Sequence, residues 1–291
     1  ARQHLDIMDY LQKSIKKFDF KKIDAIAATY GPGLIGGLIV GSSFAKGLSI
    51  SKQKKLIPIN HLQAHLLSPR LTSSLSFPYL SLLVSGGNTA LVLVKSPKKF
   101  VTLGSTIDDS AGECFDKVSK ALGLGYPGGP IIEKLALEGD YYRYKLPLPL
   151  TRVKNCNFSF SGLKTAAIDI INKNKNNKKF LKNFCASFQY TVGEIFKKKI
   201  SNSLDVINNE GIKFKDFSIC GGVAANQYLN QIIEGFVTER NIKFHQVPLS
   251  LCTDNAGMIG WNAIELMQYG KLKLNNYNTR PTPNILIHEN F

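Results

Sequence analysis

Acidic residues are scarce in this chain. Asp and Glu number 21 against 37 Lys and Arg in 291 residues, a formal charge of +16 at pH 7. That excess suits a nucleic-acid partner. It equally suits a Lys- and Asn-rich composition that fills solvated faces with lysine. The basic runs (Lys16-Lys17, Lys21-Lys22, Lys173 to Lys179, Lys197 to Lys199) hold little aromatic interleaving, which weakens any idea of a single-strand stacking platform. Cysteine is sparse too. The five, at 114, 156, 185, 220 and 252, are odd in number and form no CxxC pair. A disulfide framework and a cysteine zinc site are thereby disfavoured, and a reducing, cytoplasmic setting is expected. Each thiol reads as a small buried hydrophobe.

Long hydrophobic runs are missing. The longest, around Gly33 to Val40, is too short and too glycine-rich to span a bilayer, so no membrane is expected. No signal peptide is visible. The chain opens on Ala1, and residues 1–17 already read as an amphipathic helix through Leu5, Met8, Leu11 and Ile15. It is therefore expected to start within a fold. Two catalytic or nucleotide signatures are also absent, HExxH and GxxxxGK[ST], and none of the three Gly-Gly turns, at 83–89, 126–130 and 220–226, fits GxGxxG. A zincin, a P-loop and a dinucleotide Rossmann site are set aside.

What is present reads as a globular α/β protein, 44% apolar and 20% charged, too long for one small core. Strands are expected at 23–29, 54–60, within a hairpin over 79–96, at 216–220 and at 243–248. Helices are expected at 38–50, from 61, at 108–124, from about 128, at 162–172, 181–208, after 222, and after 254. Asp108-Asp109 sit where acids favour the N-terminus of the 108–124 helix. The run 173–179 reads as a solvated turn and 271–291 as an irregular tail. The expected organisation is 1–78, 79–257 with the nucleotide-binding turns, and 258–291 returning to the first part.

Three Gly-Gly turns share a design: "LVSGGNT" (83–89), "YPGGP" (126–130) and "CGGVAAN" (220–226). Bared backbone amides at a turn or helix start favour phosphate or another anion. A hairpin that needs glycine for its backbone explains any one of them as well. A second feature is "NHLQAH", with His61 and His65 four apart. That spacing puts both imidazoles on one helix face, to bind a metal or simply to pack. A third ligand is needed, and Asp254 in "CTDNAG" is the candidate. It is equally placed to be an ordinary N-cap. A His-His-Asp set would accept iron, zinc or manganese.

Taken together, "GPGLIGGLIVG", "NHLQAH", "LLVSGGNT", "IDDSAGECFDKVSKALGLGYPGGP", "FSFSGLKT", "CGGVAANQYL" and "CTDNAGMIG" resemble the TsaD family in order and spacing, from residue 1 to about 280. The resemblance implies a two-lobed actin–hexokinase-like (ASKHA) α/β fold. It implies an acyltransferase that moves the threonylcarbamoyl group from threonylcarbamoyl-AMP to N6 of adenine 37 of tRNA (t6A formation). By position, His61, His65 and Asp254 would hold one divalent metal ion, iron first and zinc second. Leu83, Val84, Ser85, Gly86 and Gly87 would line the phosphate and acyl region. Asp116, Gly129, Glu133 and Asn226 would contact the nucleoside. TsaB-like and TsaE-like proteins would be partners. Two departures stand out. Gln63 replaces a glutamate that relatives carry between the histidines, and the strand and phosphate turn that open the family fold are not seen, so the first lobe is expected to be incomplete at its N-terminus. Competing readings are a small-molecule kinase of the same fold, a TsaB-like scaffold, a metalloprotease and an inactive truncated remnant.

Overall fold

The computed structural model describes residues 2–174, 179–270 and 277–291. In chain order the elements are α1 (Arg2–Ile15), β1 (Ala25–Gly31), α2 (Ile35–Lys52), β2 (Lys55–Asn60), α3 (His61–Leu67) and α4 (Pro69–Thr72). There follow β3 (Tyr79–Val84), β4 (Thr89–Ser96), β5 (Lys99–Ser105), α5 (Ala111–Ala121), α6 (Gly128–Ala136), α7 (Ser161–Lys173) and α8 (Phe180–Asn209). The chain continues through β6 (Asp216–Cys220), a 3-10 turn (Gly222–Ala225), α9 (Gln227–Thr238), β7 (Lys243–Gln246), α10 (Leu249–Cys252) and α11 (Ala256–Tyr269). Two compact units result. One comprises Ala1–Leu71, Pro97–Lys99 and Asn255–Phe291; the other comprises Thr72–Ser96 and Phe100–Asp254.

In the first unit, β1 pairs in parallel with β2, from Ala25 opposite Lys55 to Gly31 opposite Asn60. α2 is the crossover between them, and its buried stripe is Leu38, Ser42, Ala45 and Ser49, a helical period. Gln53 in the left-handed region (φ 52°) ends it. The core gathers Ile57, Ile59, Ala64, Met258, Ile259, Ala263 and Leu266, so α3 and α11 share one apolar face over β2. The C-terminal segment is lashed to this unit. Thr282 N donates to Tyr30 O, and Gly33 N donates to Pro283 O. A side chain on Gly31 would collide with the Thr282 carbonyl, so glycine is what admits the segment there.

The second unit is built on a five-stranded sheet, β5-β4-β3-β6-β7. β3 is central and wholly buried, pairing antiparallel with β4 and parallel with β6. Being covered on both faces explains its largely apolar reading, "YLSLLV", in which only Ser81 is polar and bonds to Ser218. β6 pairs in parallel with β7. Phe158 and Phe160 pack in ring contact on Phe196 of the 30-residue α8, whose Phe184 and Phe188 stack on each other. Each such ring stabilises by roughly 1.5–3 kcal/mol.

Most expected elements form; the short α4 was not anticipated, and there are three further differences. β5 is an edge strand with only Phe100 and Gly104 buried, so it carries too weak an alternation to be read from sequence. α5 spans Ala111–Ala121 rather than 108–124, because Ser110 caps it at one end and Gly123 (φ 73°) stops it at the other. α10 was not anticipated. Parts of the expected 173–179 turn and 271–291 tail, residues 175–178 and 271–276, lie outside the described residues.

Candidate active site

α3 starts directly from β2 because Asn60 caps it. The Asn60 side-chain oxygen accepts from Leu62 N at 3.0 Å and Gln63 N at 3.4 Å. His61 is thus the first helical residue, and His65 lies one turn on. Their rings meet edge to face, centroids 4.7 Å apart at 81°. His65 is buried and His61 half-buried. α11 is held beside α3 by the shared core and by a fork from α4. Arg70 Nε donates to Glu265 Oε1 at 2.6 Å and Nη2 to Oε2 at 3.5 Å.

The cap of α11 is Asn255, whose Oδ1 accepts from Met258 N at 2.8 Å. Capping is therefore the neighbour's task and does not explain Asp254. Asp254, exposed and bonded directly to that cap, brings a carboxylate oxygen to the histidines: one ligand atom from each of His61, His65 and Asp254 lies within 4.8 Å of the others. First-row metal bonds of about 2.0–2.2 Å place neighbouring ligand atoms ~3–3.5 Å apart. Two imidazoles and a carboxylate are a mixed N/O set that leaves coordination positions for water or substrate. The residues fit such an ion.

Gln63, between the histidines, faces away into the C-terminal segment. Its Nε2 donates to Ile287 O (2.9 Å), Glu289 O (2.9 Å) and Asn290 Oδ1 (3.1 Å). Asn60 Nδ2 reaches Leu286 O at 2.9 Å and Glu289 O at 3.2 Å. A carboxylate at 63 has no hydrogen to donate there.

In the second unit, Leu83 and Val84 end β3, and Ser85, Gly86 and Gly87 form the turn to β4. The turn is tied internally by Ser85 N to Asn88 O (2.8 Å) and Asn88 N to Ser85 Oγ (3.1 Å). Gly86 and Gly87 are exposed and have nothing within 4 Å of a would-be Cβ. The N-terminus of α5 abuts this turn. Ser110 Oγ accepts from Glu113 N (3.0 Å) and donates to Gly86 O (2.7 Å). At Gly112 a Cβ would stand 2.5 Å from Ser85 O. Ser110 and Gly112 were assigned no role from sequence, although Ser110 with Glu113 carries the S-x-x-E signature of a capped helix start.

Asp116 on α5, Gly129 and Glu133 on α6 and Asn226 at the start of α9 lie on elements that hydrogen bonds link. Asp116 Oδ1 accepts from Gly128 N at 2.7 Å, joining α5 to α6. Glu133 Oε1 accepts from Gln227 N at 2.6 Å, joining α6 to the start of α9. Asn226 is buried; its Oδ1 caps α9 through Leu229 N (2.9 Å) and its Nδ2 donates to Gln189 Oε1 (2.8 Å). Gly221 (φ 94°) brings this loop against β3, where a Cβ would stand 2.5 Å from Val84 O.

Asp108 and Asp109 do not serve α5 as expected. Asp108 receives Phe160 N (2.8 Å), Ser161 N (3.3 Å) and the Ser159 and Ser161 hydroxyls, so it caps α7 instead. Burial opposes its ionisation, but those hydrogen bonds outweigh burial and hold its carboxyl below the ordinary range. Asp109 pairs with Lys117 (2.8 Å) and Lys164 (2.6 Å). All five cysteines are buried free thiols. No helix among the described residues is long and apolar enough to cross a membrane.

The fold finds relatives among solved structures. HypF from T. kodakarensis superposes with a TM-score of 0.62 at 13% identity, over 89% of this chain and 43% of HypF. A full-length HypF in the phosphate- and nucleotide-bound form gives 0.63 at 15%, over 90% and 42%. The chain thus spans less than half of either, and the likeness is one of fold: an α/β protein of the actin–hexokinase-like class. A profile of the TsaD family, described as tRNA N6-adenosine threonylcarbamoyltransferase, matches residues 1–261. The protein of that name from the Wolbachia of Brugia malayi is 43% identical over 97% of this chain and 84% of its own length. Those from Orientia tsutsugamushi and Rickettsia peacockii are each 47% identical over 91% of this chain and 80% and 79% of their own. The chain belongs to the TsaD family. The kinase, scaffold and protease readings find no support in these matches.

Proposed function

We propose that this chain is a tRNA N6-adenosine threonylcarbamoyltransferase. Adenine N6 attacks the carbamoyl carbon of threonylcarbamoyl-AMP. The N–C bond forms, the bond to the phosphate oxygen breaks, N6 loses a proton and AMP departs. The observation that carries the reading is the convergence of His61, His65 and Asp254 ligand atoms, in a chain of this family. Those three residues would hold one divalent ion, iron in the first instance and zinc in the second. Bound there, the ion would supply Lewis-acid polarisation of an acyl oxygen.

The other roles fall to the second unit. The Ser85-Gly86-Gly87 turn, with Leu83 and Val84 behind it, offers amides to the phosphate or a developing oxyanion. Asp116 and Glu133 each spend one carboxylate oxygen on a backbone amide and keep the other for the nucleoside. Gly129 adds a bare backbone beside them, and Asn226 holds the loop from below. Holding the two reactants in line supplies much of the acceleration. The +16 charge suits recruitment of the tRNA backbone in a salt-dependent way. TsaB-like and TsaE-like proteins are the proposed partners, and the cytoplasm, where five thiols stay reduced, the proposed compartment.

The test is reconstitution. The full chain, loaded with ferrous iron and mixed with its TsaB-like partner, threonylcarbamoyl-AMP and unmodified tRNA, forms t6A detectable by nucleoside mass spectrometry. His61→Ala loses both bound metal and product. Absence of product from the wild-type mixture sinks the reading and leaves the inactive remnant.

A further inference from the structure

Residues 140–145, Asp-Tyr-Tyr-Arg-Tyr-Lys, form a turn after α6 that none of the roles above uses. Two of its rings face solvent, Tyr141 at 43% and Tyr142 at 70% exposure. They touch each other, centroids 4.3 Å apart, and both rest on Tyr190 of α8 at 5.3 Å. The turn beneath them is firmly pinned. Asp140 Oδ1 accepts from Tyr142 N (2.9 Å), Asp140 N donates to Asn183 Oδ1 (2.9 Å), and Tyr144 N donates to Ser187 Oγ (3.1 Å). Tyr144 packs into Phe180 and Phe184. Gly139 crosses α8 so closely that any side chain would strike the Lys182 carbonyl.

Both rings thus stand on a pinned turn and rest on Tyr190 while leaving much of their surface to solvent, Tyr142 most of all, an arrangement that core packing does not call for. Their surroundings are basic. Arg143 and Lys145 are exposed on the same turn. Of the nearby acids, Glu138 pairs with Lys182, Glu194 pairs with Lys197, and Asp140 accepts a backbone amide. The cluster also borders the proposed nucleoside contacts. Tyr228, pushed up to about 12 by burial and then by Tyr190, Tyr141 and its other neighbours, directly follows Gln227, the residue bonded to Glu133. Aromatic faces interleaved with cations, missing from the lysine runs, are thus present on this turn.

We propose that the Tyr141–Tyr142 face is a stacking platform for unpaired bases of the tRNA anticodon loop, with Arg143 and Lys145 on the flanking phosphates. This rests on the reading of the chain as a tRNA-modifying enzyme. Stacking tolerates any base, because every base has a π-face, and the cations track the backbone. Rings pre-ordered by the pinned turn lose little freedom on binding.

The experiment is fluorescence anisotropy of the full chain with two labelled RNAs carrying equal numbers of phosphates: an anticodon stem-loop and a fully paired hairpin. The wild type binds the stem-loop roughly tenfold more tightly than the hairpin. The Tyr141→Ala, Tyr142→Ala double variant binds both alike, with an unchanged thermal melt. The corresponding double Phe variant keeps the preference, since the rings and not the hydroxyls stack. Arg143→Gln with Lys145→Gln weakens both RNAs equally and flattens the salt dependence. A double Ala variant that keeps the preference, or a wild type that has none, overturns the proposal. So does a double Ala variant impaired only in binding its TsaB-like partner, which would mark a protein-docking face. If t6A formation proceeds in the double Ala variant with unaltered KM for tRNA, the platform fails and the enzyme reading stands. If stem-loop preference follows the rings but no t6A forms, the enzyme reading fails and an RNA-binding surface remains.

Discussion

Replacing Gly112 by alanine tests how the Gly-Gly turn after β3 is held. The new Cβ would lie 2.5 Å from Ser85 O, 2.9 Å from Gly86 Cα and 3.0 Å from Ser85 C. All three are backbone atoms of the turn, so no flexible side chain can yield. Overpacking of this kind costs about 1–3 kcal/mol. Displacing the turn also loosens the Ser110 Oγ to Gly86 O bond, worth about 1 kcal/mol. Against this, alanine is up to ~1 kcal/mol better than glycine in a helix. The net is a loss of about 1–3 kcal/mol, a fall in Tm on the order of 5 °C for a unit of this size. Affinity for a non-hydrolysable adenylate analogue falls with it, because the amides that would hold the phosphate move. Gly129→Ala is the internal control. Nothing lies within 4 Å of its would-be Cβ, so stability holds or rises by up to ~1 kcal/mol. Its analogue affinity still drops if Gly129 borders the nucleoside. Thermal denaturation and titration calorimetry read both variants. A Gly112→Ala protein that melts and binds like the wild type would refute the account of how α5 supports the turn.

Asp254 and Asn255 are adjacent but separable. Asn255→Ala costs about 1 kcal/mol through the lost cap while retaining stoichiometric metal, and Asp254→Ala does the reverse, as melts and elemental analysis would show. Gln63→Glu removes the hydrogens shared among Ile287 O, Glu289 O and Asn290 Oδ1 and sets a carboxylate against carbonyl oxygens. A destabilisation on the order of 3 kcal/mol is expected in urea titration, and an unchanged midpoint would discount the clamp. Asp108 has a folded pKa below its unfolded value of about 3.9, so its contribution is whole above about pH 4 and drains as pH falls through the lowered folded value. Asp108→Asn should flatten that acid limb of the stability curve, and an identical limb would contradict the capping of α7.

Much of this protein was legible from residue order because local rules wrote it. The apolar runs of β3 and β4 mark strands buried on both faces, and the four-residue spacing of His61 and His65 follows the helical period of about 3.6. Seven motifs in order carried the family. What residue order could not decide was which of two chemically equal neighbours does which task. Asp254 and Asn255 both suit a cap; the packing of α11 beside α3 gave the cap to Asn255 and turned the carboxylate toward the imidazoles. Asp108 and Ser110 both suit the start of α5. Only the approach of Phe160 and Ser161, some fifty positions later, drew Asp108 away to α7. Sequence determines which side chains can donate, accept or ligate. Which partner each receives is set by contacts between distant segments, and those exist only once the chain has folded.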